Sequence, residues 1–374
     1  MKKKIFFLSS LLLILAALLV FSLAAGGGAD DPLISLNFLK GLFTRQTDSA
    51  VEDTLDQADK KVYEQALADW QVVVDDTAAA AVTEYAPAFN EIRLKEGDAV
   101  SGPTGLQVIP LAGSTAVTFP EGSVVDVTNG AEVPSGTLLE ARHRYLVAEN
   151  TTASFTVLSK TAVLDYCGSY RMTYSEKPDY NAMAQSLKFL SLFRGTDNAF
   201  GEGFDLENEP TRIEALIMLI RLLGEEKEAL ACTGTHPFTD VPEWCNSYVA
   251  YAYEKGYSNG VGGDQFGTYI KASAVMYMEF VLRALGYSST ATTDISDSLG
   301  RAQRAGVIRT REQDMLGETQ FLRADVVYLS YYALDVPVNN SYRALYQRLI
   351  AAGLFNMAQY RTACSLVKTE RIGG

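Results

Sequence analysis

Residues 211–224 and 273–286 repeat each other at an interval of 62 residues. Thr211-Arg212-Ile213-Glu214 opens the first segment, which closes on Arg221-Leu222-Leu223-Gly224. Ser273 opens the second, which closes on Arg283-Ala284-Leu285-Gly286, and a third runs from Leu322-Arg323-Ala324-Asp325 to Ala333-Leu334-Asp335. Ile213, Leu216, Ile217, Ile220 and Leu223 recur at the spacing of one helix face, as do Val275, Met278, Leu282 and Leu285. One amphipathic helix pair cannot bury its apolar faces alone. Repeats of this period must pack on one another, which predicts an all-α bundle of three units at about 178–224, 236–287 and 293–337. In the extension 338–374, the helical segment from Ser341 to Leu354 is placed to cover one side of that bundle.

Between residues 87 and 175 the pattern is different. Short β-prone runs (Gly105 to Pro110, Ala116 to Phe119, Val124 to Val127, Arg144 to Glu149, Ser154 to Leu158, Ala162 to Tyr166) alternate with turn signals. Those signals are Ser101-Gly102-Pro103, Asn129-Gly130 and Pro134-Ser135-Gly136. Short strands at such spacing predict a small all-β sandwich or roll. The fold class expected is therefore a multidomain α+β protein.

The amino terminus reads as an export signal over residues 1–25. Lys2, Lys3 and Lys4 precede an apolar run from Ile5 to Leu23, and Ser22, Ala24 and Ala25 supply a cleavage site. The run is long enough for an uncleaved anchor as the alternative. Residues 33–81 read as a helical spacer, with Leu55, Ala58, Val62, Ala66 and Leu67 on one face. The formal charge of −13 and the lack of a basic stripe argue against nucleic acid as a partner. The four cysteines lack zinc-ligand spacing. In an exported chain Cys232 and Cys245 are either a disulfide pair or free thiols.

The repeats resemble the S-layer homology family of Gram-positive, Firmicutes-like bacteria. That family's unit has an aromatic-x-Asp-Val lead-in, a first helix bearing Trp and Tyr, a Gly-rich loop, and a second helix opened by Thr-Arg-Ala-Glu. The second unit matches with Phe238-Thr239-Asp240-Val241, Trp244, Tyr248 and Leu282-Arg283-Ala284-Leu285-Gly286-Tyr287. The first supplies Thr211-Arg212-Ile213-Glu214, and the third Arg323-Ala324-Asp325 and Asp294-Ile295. The stretch from His143 to Thr152 resembles a small β-domain of exported Firmicutes proteins, a likeness that implies no activity.

The family resemblance implies a wall-anchored surface protein that binds an acidic, often pyruvylated, secondary cell-wall polysaccharide. Membrane contact would end once the signal is removed, and the oligomeric state is left open. The implied contacts are Arg212, Glu214, Arg323, Asp325, Asp240 and Trp244. A guanidinium suits this role because it is always charged and grips a carboxylate with two parallel hydrogen bonds. Structural roles compete at several positions. Thr211 and Glu214 also spell a capping box, Asp240 is placed to cap a helix, and Trp244 and Tyr248 fall on an apolar helical face that reads as core. The second unit carries Ala274 and Met276 where the first has Arg212 and Glu214, so at most two grooves are equipped.

No catalytic signature is present, and neither a cofactor nor a metal is implied. Gly260-Val261-Gly262-Gly263 does not complete a dinucleotide fingerprint. Cys232 and His236 are four apart in a segment that reads as loop. The expectation is a protein that is not an enzyme. A structural bundle without glycan binding, and a wall-modifying enzyme using the β-domain, are the alternatives.

Overall fold

A computed structural model describes residues 83–196, 203–288, 294–318, 320–339 and 341–373. The signal segment 1–25 and the spacer 33–81 lie outside the described residues.

Nine antiparallel strands form the first part: β1 (Glu84–Lys95), β2 (Ala99–Pro103), β3 (Gln107–Ala112), β4 (Thr115–Thr118), β5 (Val124–Asp126), β6 (Ala131–Val133), β7 (Tyr145–Val147), β8 (Thr152–Val157) and β9 (Thr161–Thr173). They make one curled sheet, a half-barrel, in the order β4-β8-β2-β9-β3-β7-β5-β6, with β1 also paired to β9. The long strand β9 joins the two halves. On one edge Thr161 to Tyr170 pair with β1; on the other Val163 to Cys167 pair with β3 and Arg171 to Thr173 with β2. The change of partner falls at Gly168, whose φ of 106° and close approach to the Gly105 carbonyl leave no room for a Cβ. Val100, Leu106, Val108, Val147, Phe155 and Leu164 fill the inner face.

The expectation of a sandwich or roll is thus corrected to a half-barrel. The Ser101-Gly102-Pro103 turn is corrected too, since these residues belong to β2. Gly102 pairs with Ala153, and a Cβ on it would lie 2.2 Å from the Ser169 carbonyl oxygen. Glycine marks a close backbone approach here and not a reversal.

The rest is helical: α1 (Tyr180–Phe189), α2 (Arg212–Leu222), α3 (Glu226–Leu230), α4 (Asn246–Glu254), α5 (Ala274–Ala284), α6 (Ser298–Arg304), α7 (Thr310–Glu318), α8 (Arg323–Ala333), α9 (Leu345–Ala351) and α10 (Met357–Leu366). Their apolar faces share one core that includes Phe204, Phe266, Tyr277, Phe280 and Tyr328. Leu345 and Leu349 of α9 and Tyr360 and Ala363 of α10 join it, so the C-terminal extension does cover part of the bundle.

The repetition survives in the hydrogen bonds. Glu225 N–H donates to Ile220 O and Tyr287 N–H to Leu282 O, closing α2 and α5 identically over Gly224 and Gly286. More telling is how the helices begin. Arg212 and Ile213 donate their N–H groups to Ile270 O and Thr268 O. Arg323 and Ala324 donate theirs to Asn208 O and Leu206 O. Asn208 and Ile270 are again 62 residues apart. Each of these helices therefore starts on the loop of another unit: α2 on the loop before α5, and α8 on the loop before α2. Phe204 and Phe266 are fully buried at matching places in those loops, each contributing about 1.5–3 kcal/mol.

One ion pair pins the β5–β6 turn to the loop before β7. His143 Nδ1 lies 2.8 Å from Asp126 Oδ2. That hydrogen bond raises the His143 pKa. Burial pushes Asp126 up, but His143 and the N–H groups of Asn129 and Thr128 outweigh it and leave the carboxyl below its usual range. The histidine's contribution is complete below its unfolded pKa of about 6.5 and is lost as pH rises through the higher folded value. The aspartate's is complete above about 3.9 and is lost as pH falls. The contribution of this pair to the melting temperature should therefore be greatest between about pH 4 and pH 6.5. His143→Gln should abolish the decline on the alkaline side of that window, and a variant keeping the wild-type profile would exclude this pair as its source.

Candidate functional site

The residues expected to contact a glycan are not gathered in one place. Arg212 opens α2, and only 3% of its surface is exposed. Thr211 and Glu214 form the capping box: Thr211 N–H donates to Glu214 Oε2 at 2.6 Å, and Glu214 N–H to Thr211 Oγ1 at 3.4 Å. Such a cap is worth about 1 kcal/mol and leaves Arg212 free of the helix start. The Arg212 guanidinium lies between the rings of Phe266 and Phe280, at 5.2 Å and 4.7 Å. It donates to Ser258 Oγ at 3.0 Å and Gly260 O at 3.2 Å, while its Nε has no hydrogen-bond partner among the described residues.

No carboxylate among the described residues lies within ion-pair distance of Arg212. The nearest candidates are committed elsewhere. Glu279 holds Arg283 at 2.8 Å and also pairs with Arg301. Asp240 accepts three backbone N–H groups, from Phe266 and Gly267 at 2.7 Å and from Thr268 at 3.2 Å. Burial, then the neighbouring Arg283 charge, push the Arg212 pKa down to about 10, so it remains cationic at neutral pH. Arg212, Arg283 and Gly260 line a pit of about 20 Å³. That is space for one water or one carboxylate oxygen, not for a sugar ring.

The lead-in and the loop of the second unit also carry exposed aromatic and aliphatic side chains, outside the lining of the pit. Trp244 is 56% exposed and Tyr269 64%, and the indole Nε1 donates to the Tyr269 hydroxyl at 3.4 Å. Val261 and Ile270 are also exposed. This corrects the core reading of Trp244, which precedes α4 in a short 3-10 turn (Glu243–Cys245) and misses the buried face that Tyr248 occupies. Asp240 is corrected as well. It caps no helix, but ties the lead-in segment to the loop that receives α2, and those N–H groups hold its pKa down against burial.

The third unit is differently employed. Arg323 is 6% exposed and donates from Nε to Phe204 O at 3.3 Å, and burial lowers its pKa. Asp325 is fully buried. Its Oδ2 accepts the Leu322 N–H at 2.8 Å, and both oxygens accept from Lys160 Nζ, at 2.6 and 2.7 Å. Lys160 belongs to the β8–β9 turn, so the half-barrel is latched onto the motif read as a glycan contact. Arg93 faces Glu207 at 3.6 Å, and Asn181 Nδ2 donates to Leu94 O at 3.2 Å, along the same junction. Arg323 and Asp325 are therefore structural residues here, and Glu214 is an exposed cap.

All four cysteines carry free thiols. Cys232 Sγ lies 3.8 Å from Glu254 Oε2, and the buried Cys245 donates to Pro242 O, so the Cys232–Cys245 bridge is not formed. His236 bonds to Asn246 and Phe238, away from Cys232. Among the described residues no three His, Cys, Asp or Glu side chains converge as metal ligands. No helix among them is long and apolar enough to cross a membrane.

The chain is similar to a bacterial cell surface protein. That relative, from Thermoanaerobacter kivui, is 28% identical over 171 residues, which is 44% of this chain and 22% of that protein. The chain thus spans about a fifth of the relative's length. No family model matches. Among solved structures, procruciferin, an 11S globulin of Brassica napus, is 9% identical over 26% of each chain with a TM-score of 0.15. A 4-keto-6-deoxy sugar epimerase from the novobiocin cluster of Streptomyces spheroides is 23% identical over 25% of this chain and 45% of that one, with a TM-score of 0.11. Scores this low carry no argument.

Proposed function

We propose that this is an exported, non-catalytic cell-surface protein whose helical repeats, of S-layer homology type, hold an acidic wall glycan at the Arg212 pit. One observation carries the reading: a buried guanidinium with no carboxylate partner beside a second guanidinium. A buried cation without a direct ion pair is costly, Asp240 offsets that cost only from beyond ion-pair distance, and an anionic ligand supplies the contact. The pit admits a single carboxylate oxygen, and the exposed Trp244 and Tyr269 of the same unit are rings of the kind that cover the apolar face of a sugar. The basic, then apolar, amino terminus and the similarity to a cell surface protein support the location. For the third unit the alternative reading is favoured: the Lys160–Asp325 latch makes it a structural support for the half-barrel.

The test is co-sedimentation of the purified chain with bacterial wall sacculi, before and after the accessory polysaccharide is stripped. Binding should vanish on stripping and weaken about tenfold or more in Arg212→Gln, as expected for losing a charge-assisted hydrogen bond. The melting temperature of Arg212→Gln should stay level or rise, because a lone buried charge is removed. Binding that survives both stripping and substitution would defeat the reading.

A further inference from the structure

We propose that the cleft between the half-barrel and the helical repeats is a second site, separate from the Arg212 pit, for a carboxylate-bearing saccharide. This goes beyond the Arg212 reading and does not depend on it. The cleft encloses about 510 Å³, within the usual range for a small-molecule site. The sheet contributes Arg93, Ser114, Arg142 and Thr161, and the loop before α2 contributes Glu207 and Asn208.

Three of these groups are incompletely satisfied. Arg142 is exposed and has neither an ion pair nor a side-chain hydrogen bond among the described residues. Its backbone sits in the left-handed region at φ 68°, held by its N–H on Pro110 O at 2.6 Å. A non-glycine residue kept there is a strain typical of functional positions. Thr161 is 1% exposed, and its hydroxyl has no hydrogen-bond partner among the described residues. Buried hydroxyls are normally bonded, so this one points to a missing partner. Glu207 Oε1 accepts no hydrogen bond and faces Arg93 only at 3.6 Å, too long for a charge-assisted bond.

The chemistry of the occupant follows from this set. One guanidinium without a carboxylate matches one negative charge and can bind it with two parallel bonds. The Thr161 hydroxyl, the Glu207 carboxylate and the Asn208 amide suit ring hydroxyls, which both donate and accept. Asp205 and Glu207 in the wall disfavour a phosphate dianion more strongly than a singly charged carboxylate. No aromatic side chain lines the cleft to stack a nucleobase. A sugar acid fits these requirements, and a nucleotide does not.

The test titrates the full chain calorimetrically with a tetrasaccharide of alternating glucuronic acid and N-acetylglucosamine, and with its carboxyl-reduced form. The acidic form should bind and the reduced form should bind about tenfold more weakly or not at all. Arg142→Gly removes the guanidinium and relieves the backbone, so it should fold at least as well while losing about tenfold in affinity. Arg142→Lys should recover part of the loss. Thr161→Val, nearly isosteric, should weaken binding without lowering the melting temperature. Equal binding of the two sugars, unchanged binding in Arg142→Gly, or no heat from the acidic form at millimolar concentration would each overturn the proposal. Sacculus co-sedimentation of the same preparations reads the Arg212 reading separately, so either can fail alone.

Discussion

Asp325→Ala is expected to lower the stability of the chain by about 3–5 kcal/mol. The substitution would strand the Lys160 ammonium, whose side chain is only 13% exposed, against a buried helix start. It would also unseat the Leu322 N–H. The intact pair is not strongly stabilising in itself, since burial pushes the Asp325 pKa upward while Lys160 pulls it back. The large cost comes from leaving one partner behind. The double variant Lys160→Met, Asp325→Leu should therefore recover most of the loss. Because the latch joins the half-barrel to α8, Asp325→Ala should also split one urea transition into two. A loss under about 1 kcal/mol in the single variant, or a double variant no better than the single, would show that the latch carries no such coupling.

The helical repeats were legible because their information is local and periodic. The apolar spacing from Ile213 to Leu223, the caps at Thr211 and Ser273 and the stops at Gly224 and Gly286 all act within one helix. The half-barrel was legible in β3, β4, β5, β7, β8 and the first part of β9. β1, Glu84–Lys95, escaped because its burial is sparse: only Ala86, Leu94 and Lys95 are buried, which gives no alternation to read. β2 was hidden by Gly102 and Pro103, whose turn-like chemistry serves a close strand approach.

The candidate contacts divide for a physical reason. Arg212 and Arg323 look alike in sequence, because the motif encodes a helix start and a buried guanidinium in both. What separates their units lies far away in the chain, in Lys160 of a β-turn, which pairs with Asp325 beside Arg323, and no local pattern announces that pairing. Trp244 shows the same limit at short range. A shift from α-helical to 3-10 geometry over Glu243–Cys245 turns its side chain out of the core. Arg142 and Thr161 were missed entirely. An unpaired hydroxyl and a left-handed arginine are facts of tertiary structure, and only the Arg142 side chain, in a loop between β-prone runs, offered any hint.

Glu279→Gln is expected to produce a loss of similar size, and one tied to the candidate pit. Glu279 is 3% exposed and sits at the centre of a cationic cluster. Its Oε1 accepts from Arg283 Nε at 2.8 Å and Ser288 Oγ at 2.7 Å, and its Oε2 from Ser298 Oγ at 2.8 Å and from Arg301. Arg212 lines the same pit as Glu279 and Arg283, and the Arg283 charge helps to lower its pKa. Neutralising Glu279 would remove the buried carboxylate that Arg283 and Arg301 share, at a cost of about 3–5 kcal/mol. Burial pushes the Glu279 carboxyl up, but the hydroxyls and guanidiniums around it prevail and hold its pKa below the usual range. Its contribution is therefore present above the unfolded value of about 4.3 and is lost as pH falls through the folded one. Glu279→Gln should flatten that acid limb of the stability curve while lowering the plateau above it. A carboxylate ligand entering the Arg212 pit would restore part of the missing charge. The variant should accordingly gain more in melting temperature from an acidic wall glycan than the wild type does. An equal gain in both would mean that the ligand does not sense this cluster, and would count against the pit as its seat.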